Sequence, residues 1–365
     1  MRIQSIETYT MAVPLHTPFK TALRTVTVAE SIYVKVVGED GSTGWGEAPP
    51  TVVITGESLT SIDYTIKKII TPVLLGKDIT HREDLFQKLH SCCIGNTSAK
   101  AAVDIALHDL LGKAYQLPLY QLLGGSKSEL ETDYTVSVND PEEMAEDAAR
   151  YVSNGFKILK VKVGKDTIER DIERIQTIHK RVGEGVRFRL DANQGWSPKE
   201  AIYAIRKMED HRLPIELVEQ PVHAKDIEGM KNVTDHTYTP IMADESVFSP
   251  TDARRILETR SADLINIKLM KSGGIHQAVK INHLAEAYGV KCMVGSMIET
   301  KLGITAAAHF AASQNNVTRI DFDAPLMLTE DPIDGGVQYD KSMLSLPKGS
   351  GLGIDNVNTE QTVNI

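Results

Sequence analysis

Eight residues of chemical interest stand at nearly even intervals along this chain: Thr135, Lys162, Asp191, Glu219, Asp244, Lys268, Ser296 and Asp321. Successive gaps run from 24 to 29 residues. A β-strand, a helix and two loops need about that length, since a parallel crossover alone takes a dozen residues or more. Eight such units close a (β/α)8 TIM barrel, whose active site gathers at the C-terminal strand ends. The spacing therefore predicts an α/β fold. The residue types predict the chemistry: three carboxylates suited to a metal and two lysines suited to moving protons.

A length of 365 residues leaves room for one barrel and a smaller domain. The formal charge of −9, with no run of Lys or Arg, argues against a nucleic-acid partner. No apolar stretch approaches the ~18 residues of a membrane span. The opening residues MRIQSIETYTMAV alternate like a strand and lack a signal-peptide core. Cys92, Cys93 and Cys292 form no CxxC pair, so reduced thiols and a cytoplasmic location are expected. Barrels of this size often associate, which makes a homo-oligomer the expectation.

Three regions differ in pattern. Residues 1–125 read as an α+β domain: antiparallel strands turning at Glu39-Asp40-Gly41, then helices in 57–125, the richest in Ala and Leu lying ahead of Pro118. Residues 126–325 alternate strand and helix. Three helix starts there share one chemistry, at Asp140-Pro141, Ser197-Pro198 and Ser249-Pro250, each offering a capping side chain followed by Pro. Residues 326–365 look like strands and turns that return to the first domain.

Asp191, Glu219 and Asp244 end the strand-like runs RFRLD, IELVE and PIMAD. Carboxylates converging from neighbouring strands repel one another and are costly to desolvate. A hard divalent cation resolves both problems, and all-oxygen ligation suits Mg²⁺, or Mn²⁺. One ion per subunit is expected, with Asn193 and Glu245 supporting the ligands from behind. Taken singly, each acid could instead cap a helix or pair with a loop cation.

Lys160 and Lys162 end FKILKVKVG two residues apart, so they face the same side of a strand. Lys268 ends ADLINIK four units further round. Strands two and six of eight lie on opposite sides of a barrel. An amine on each face of a bound centre is what a 1,1-proton transfer needs. The base must be neutral, and the like charges of Lys160 and the cation would favour that form of Lys162.

The set Lys160-x-Lys162, Asp191-Ala192-Asn193, Glu219-Gln220-Pro221, Asp244-Glu245 and Lys268, with the helical AKAAVDIALHDLLGK at 99–113, resembles the muconate-lactonizing subgroup of the enolase superfamily. That family implies an enolase-like modified barrel under an N-terminal capping domain, and Mg²⁺ stabilising an enolate. A narrower resemblance, to dipeptide epimerases and in particular those acting on L-Ala-D/L-Glu, rests on three segments. Asp321-Phe322-Asp323 matches the carboxylates that hold the dipeptide's ammonium group. Ser296-Met297-Ile298-Glu299-Thr300 matches the seventh strand end, which contacts substrate. FKTALRTV at 19–26 is similar to a capping loop, with Arg24 reaching the substrate's side-chain carboxylate. Thr135 and Lys160 also align with substrate contacts.

The resemblance implies an isomerase that inverts the C-terminal residue of a small dipeptide, L-Ala-L-Glu to L-Ala-D-Glu, in murein peptide recycling. Lys162 and Lys268 would be the acid and base. Rival reactions within the subgroup are epimerisation of hydrophobic or cationic dipeptides, N-succinylamino-acid racemisation and o-succinylbenzoate synthesis. A catalytically silent barrel that serves as a scaffold is the rival from another class. Ile54-Thr55-Gly56 could shape the pocket or simply turn the chain, and Trp45, Trp196 and the cysteines read as packing residues.

Overall fold

The computed structural model describes residues 1–359. Residues 360–365, the last of the segment expected to return to the first domain, lie outside the described residues.

The first domain opens with a long antiparallel pair, Ile3–Lys20 and Thr25–Gly38, joined by a third strand, Thr43–Ala48. The sheet packs on the helix Thr97–Ala114, which is buried on almost every side. Two glycines permit that packing. A Cβ at Gly44 would stand 2.0 Å from the carbonyl oxygen of Ala106, and one at Gly46 1.9 Å from that of Ala102. Only glycine lets strand and helix backbones approach so closely. The helical region 57–125 also contains a π-helical turn, Thr65–Ile70.

The barrel has eight parallel strands: Tyr134–Val136, Ile158–Lys162, Arg187–Asp191, Ile215–Glu219, Ile241–Ala243, Leu264–Ile267, Lys291–Val294 and Val317–Ile320. Each neighbours its successor, and a parallel bridge from Thr132 to Ile320 joins the last strand back to the first. Among the described residues seven long helices fill the intervals, and no eighth follows the final strand. The chain there makes a short 3-10 turn, Ala324–Met327, and then small strands. Two of these, Gln338–Asp340 and Met343–Ser345, extend a sheet with Glu129–Glu131. Elsewhere the segment reaches the first domain: Thr329 N donates to the Pro14 carbonyl at 2.9 Å and Leu352 N to Asp109 Oδ1 at 2.7 Å.

The helix starts are explained by local chemistry in two cases of three. Ser197 forms a capping box with Glu200, and Ser249 accepts from the Asp252 N–H. Asp140 does not cap its helix. Its carboxylate instead pairs with Arg170 at 2.8 Å, so the expectation fails there because a cation on the next helix competes for it. Trp196 is buried and donates to Asp171 at 3.0 Å, and Cys292 is buried, both as packing residues. All three cysteines are free. Among the described residues no helix is long and apolar enough to cross a membrane.

Candidate active site

Strand register layers the site. Lys160 pairs across the sheet with Thr135, Lys162 with Asp191, and Asp191 with Glu219. Asp244, Lys268 and Asp321 each lie one residue beyond their strands, and Ser296 two beyond. The even sequence spacing thus becomes one ring of side chains at the barrel mouth.

Ion pairs knit that ring. Lys162 Nζ is 2.6 Å from Asp191 Oδ2. Lys160 Nζ sits between three acids, 2.8 Å from both Glu219 Oε2 and Asp321 Oδ2 and 3.1 Å from Asp191 Oδ2. Across the mouth, Lys268 Nζ is 2.8 Å from Asp244 Oδ2. Lys271 holds the other oxygen of Asp244 at 2.7 Å, and Asn266 Nδ2 donates to Glu219 Oε1 at 2.8 Å. Gln220 accepts the Asp244 N–H at 2.9 Å, which explains why a glutamine follows Glu219. Asn193 and Gln220 both take positive φ, 42° and 37°, so strained backbone directly follows two of the acid-bearing strands.

The charges at the mouth do not balance. Asp191, Glu219, Asp244, Glu245, Asp321 and Asp323 are six acids; Lys160, Lys162, Lys268 and Lys271 are four bases, two fewer. The deficit raises the pKa of the acids that are least well paired. Burial, then the charge of Asp191, pushes Glu219 up to about 7. Burial and Asp244 push Glu245 up to about 8. Burial and Asp321 push Asp323 up to about 7. The best-paired acids move the other way. Burial would raise Asp191, but Lys162 and Lys160 pull it down to about 2. Burial would lower Lys268, but Asp244 raises it above its ordinary value.

A divalent cation would add positive charge where the ring is short of it, and the donors are all oxygen, which suits magnesium or manganese. Two buried oxygens beside the acids, Glu245 Oε2 and Asn193 Oδ1, have no hydrogen-bond partner, while Asn193 Nδ2 donates to Glu245 Oε1 at 3.3 Å. Among the described residues no three His, Cys, Asp or Glu side chains surround a common point. The lysine ammonium groups stand between the carboxylates and compensate them in part. The residues present therefore fit a divalent ion by charge and donor type.

Above the ring lies a pocket with about 590 Å³ of empty space, part of it open to solvent. Its floor is formed by the lysines, Asn193, Glu245, Asp321 and Asp323. Its walls come from the first domain (Phe19, Leu23, Arg24, Val53, Ile54) and from Ser296–Ile298. The Phe19 ring covers Lys162, with Nζ 5.7 Å from the ring centre. Asp323 Oδ2 accepts the Thr135 N–H at 2.6 Å, and Ser296 Oγ donates to the Asp321 carbonyl at 3.4 Å. Arg24 is partly buried and no described acid pairs with it. Burial lowers its pKa with nothing opposing.

All thirteen residues singled out in the sequence thus lie at or around one mouth. Two others were missed. Asn266 was detectable, because it precedes Lys268 by two and shares its inward face. Lys271 was not, because it follows the strand on a one-turn helix, Leu269–Ser272, where strand alternation says nothing.

Comparison with known proteins agrees along nearly the whole chain. Residues 5–124 match the mandelate racemase / muconate lactonizing enzyme N-terminal domain, and residues 143–359 the enolase C-terminal domain-like family. The chain is 62% identical over 354 residues to an L-Ala-D/L-Glu epimerase of Bacillus subtilis, covering 97% of each. It is 44% identical over 358 residues to a hydrophobic dipeptide epimerase of Enterococcus faecalis, covering 98% of this chain and 100% of that one. It superposes on the substrate-liganded B. subtilis epimerase with a TM-score of 0.97, covering 98% of this chain and 99% of that one. Against the E. faecalis dipeptide epimerase complexed with Mg and L-Leu-L-Tyr the TM-score is 0.94, at 44% identity over 98% and 100% of the two chains.

Proposed function

Since the chain belongs to the mandelate racemase / muconate lactonizing enzyme family of the enolase superfamily and is an isomerase, we propose that it epimerises the C-terminal residue of dipeptides, with L-Ala-L-Glu and L-Ala-D-Glu as its pair. The reaction would serve the reuse of peptides from murein. The observation that carries this reading is Lys162 and Lys268, four strands apart across one mouth with the acid ring between them.

Asp191, Glu219 and Asp244 would hold one magnesium ion. When bound, the ion supplies charge that offsets the negative charge developing on the substrate carboxylate. Lys162 takes the α-proton from one face and Lys268 returns a proton to the other, and the roles exchange in the reverse direction. Lys160 stays protonated among its three acids and faces the charge that develops. Asp321 and Asp323 receive the dipeptide's ammonium group, which brings a cation to Asp323, a carboxylate that forms no ion pair among the described residues. Arg24 meets the side-chain carboxylate, and Thr135 and Ser296 line the same cleft. Asn193 and Glu245 support the ligand set. Phe19 and Ile54 close the pocket from above and exclude water.

The test is proton exchange in D₂O. With Mg²⁺ and L-Ala-L-Glu, the NMR signal of the Glu α-proton should fade as the L-Ala-D-Glu diastereomer appears, and a chelator should stop both. Exchange seen with N-succinylamino acids but not with any dipeptide would overturn the reading.

A further inference from the structure

Arg24 has no ionic partner among the described residues, so the placing of its flexible side chain over the pocket starts from how its backbone is held. Two sets of contacts decide that. The first ties the hairpin to the barrel through Lys20. Its N–H donates to Ser137 Oγ at 3.2 Å, its carbonyl accepts the Val138 N–H at 3.2 Å, and its Nζ donates to Asn139 Oδ1 at 2.6 Å. Ser137–Asn139 directly follow the first barrel strand, so the tether refers the hairpin to the catalytic ring.

The second set closes the turn on itself. The Thr21 N–H donates to the Arg24 carbonyl at 3.0 Å. Thr21 Oγ accepts the Leu23 N–H at 3.1 Å and the Arg24 N–H at 3.2 Å. Thr21 is buried, so no water replaces these bonds without opening the turn. One hydroxyl therefore joins the tethered residue to the arginine four positions along.

We infer that Thr21 is a specificity-positioning residue, whose hydroxyl fixes the turn that presents Arg24 and so sets the preference for an anionic side chain over its neutral isostere. This rests on the reading that Arg24 meets the substrate's side-chain carboxylate. A guanidinium on an open turn must be ordered when substrate arrives, and that cost falls only on substrates that use it. Substrates with an amide in place of the carboxylate lose less.

The test compares kcat/KM for L-Ala-L-Glu with that for L-Ala-L-Gln in four proteins: wild type, Thr21→Val, Thr21→Ser and Arg24→Met. Valine keeps the shape and β-branching of threonine without the hydroxyl; serine keeps the hydroxyl. The Glu-to-Gln ratio should fall about tenfold in Thr21→Val, the order of one lost hydrogen bond, and stay near wild type in Thr21→Ser. It should collapse in Arg24→Met. An unchanged ratio in Thr21→Val with collapse in Arg24→Met overturns the inference and leaves the role of Arg24 standing. Equal loss on both substrates in Thr21→Val also overturns it. An unchanged ratio in Arg24→Met removes the reading of Arg24 and the inference with it.

Discussion

Replacing Lys271 with methionine would test whether the acid ring is held from behind. Lys271 is 1% exposed and lies outside the pocket lining. Its ammonium pairs with Asp244 Oδ1 at 2.7 Å and donates to the carbonyls of Asp244, Val247 and Asn266, the last two at 3.1 Å. Removing one partner of a buried ion pair costs about 3–5 kcal/mol. Here the low end applies, because Asp244 keeps Lys268 at 2.8 Å and its carbonyl keeps the Val247 N–H at 3.0 Å. The expected loss is about 3 kcal/mol, or a melting temperature lower by about 4 °C, because the unfolding entropy grows with chain length. Urea and thermal unfolding of the metal-free protein would measure it. The double variant with Asp244→Asn should lose less than the sum of the two single losses, since the charge left unpaired is then gone. A loss under about 1 kcal/mol, or strict additivity, would refute the argument.

Three further outcomes are expected. Lys162→Met and Lys268→Met should each lower epimerisation by about 10²–10⁴-fold, while NMR in D₂O still shows α-proton exchange from one diastereomer, a different one for each variant; exchange from both in either variant would remove the two-base scheme. Asp323 titrates near 7 because burial and Asp321 oppose its charge, so KM for the dipeptide should rise as pH falls below about 7 and the carboxylate is lost, and Asp323→Asn should flatten that profile. His309 is held neutral at about 4 by burial, its Nδ1 accepting the Tyr120 N–H at 3.0 Å. Its folded pKa lies below the unfolded value of about 6.5, so its contribution is intact above pH 6.5. As pH falls to 4 it should decline by at most about 3 kcal/mol, a decline that His309→Gln should remove from a series of melts.

The barrel and its polar ring were legible because a strand, a helix and two loops have a characteristic length, and because a parallel strand exposes its last inward residue at the mouth. Both facts are local, so Lys162, Asp191 and Glu219 could be assigned to strand ends from spacing and alternation alone. The same locality explains the failures. Asp140 was read as a cap from its neighbours in sequence, but Arg170, on the following helix, takes its carboxylate. Lys271 was missed for the same reason, since it stands on a one-turn helix past its strand, whereas the strands and turns expected past the last barrel strand are found.

By itself the sequence determined which residue types stand at the eight strand ends, and with them an all-oxygen ligand set and two amines on opposing strands. Tertiary structure alone decided how those charges are shared: Lys160 among three acids, Lys271 behind Asp244, and Arg24 over the pocket with no acid paired to it among the described residues. Charge sharing depends on distances of a few ångströms between residues up to 161 positions apart, as from Lys160 to Asp321. Coulomb energy follows that separation in space, and no spacing along the chain encodes it.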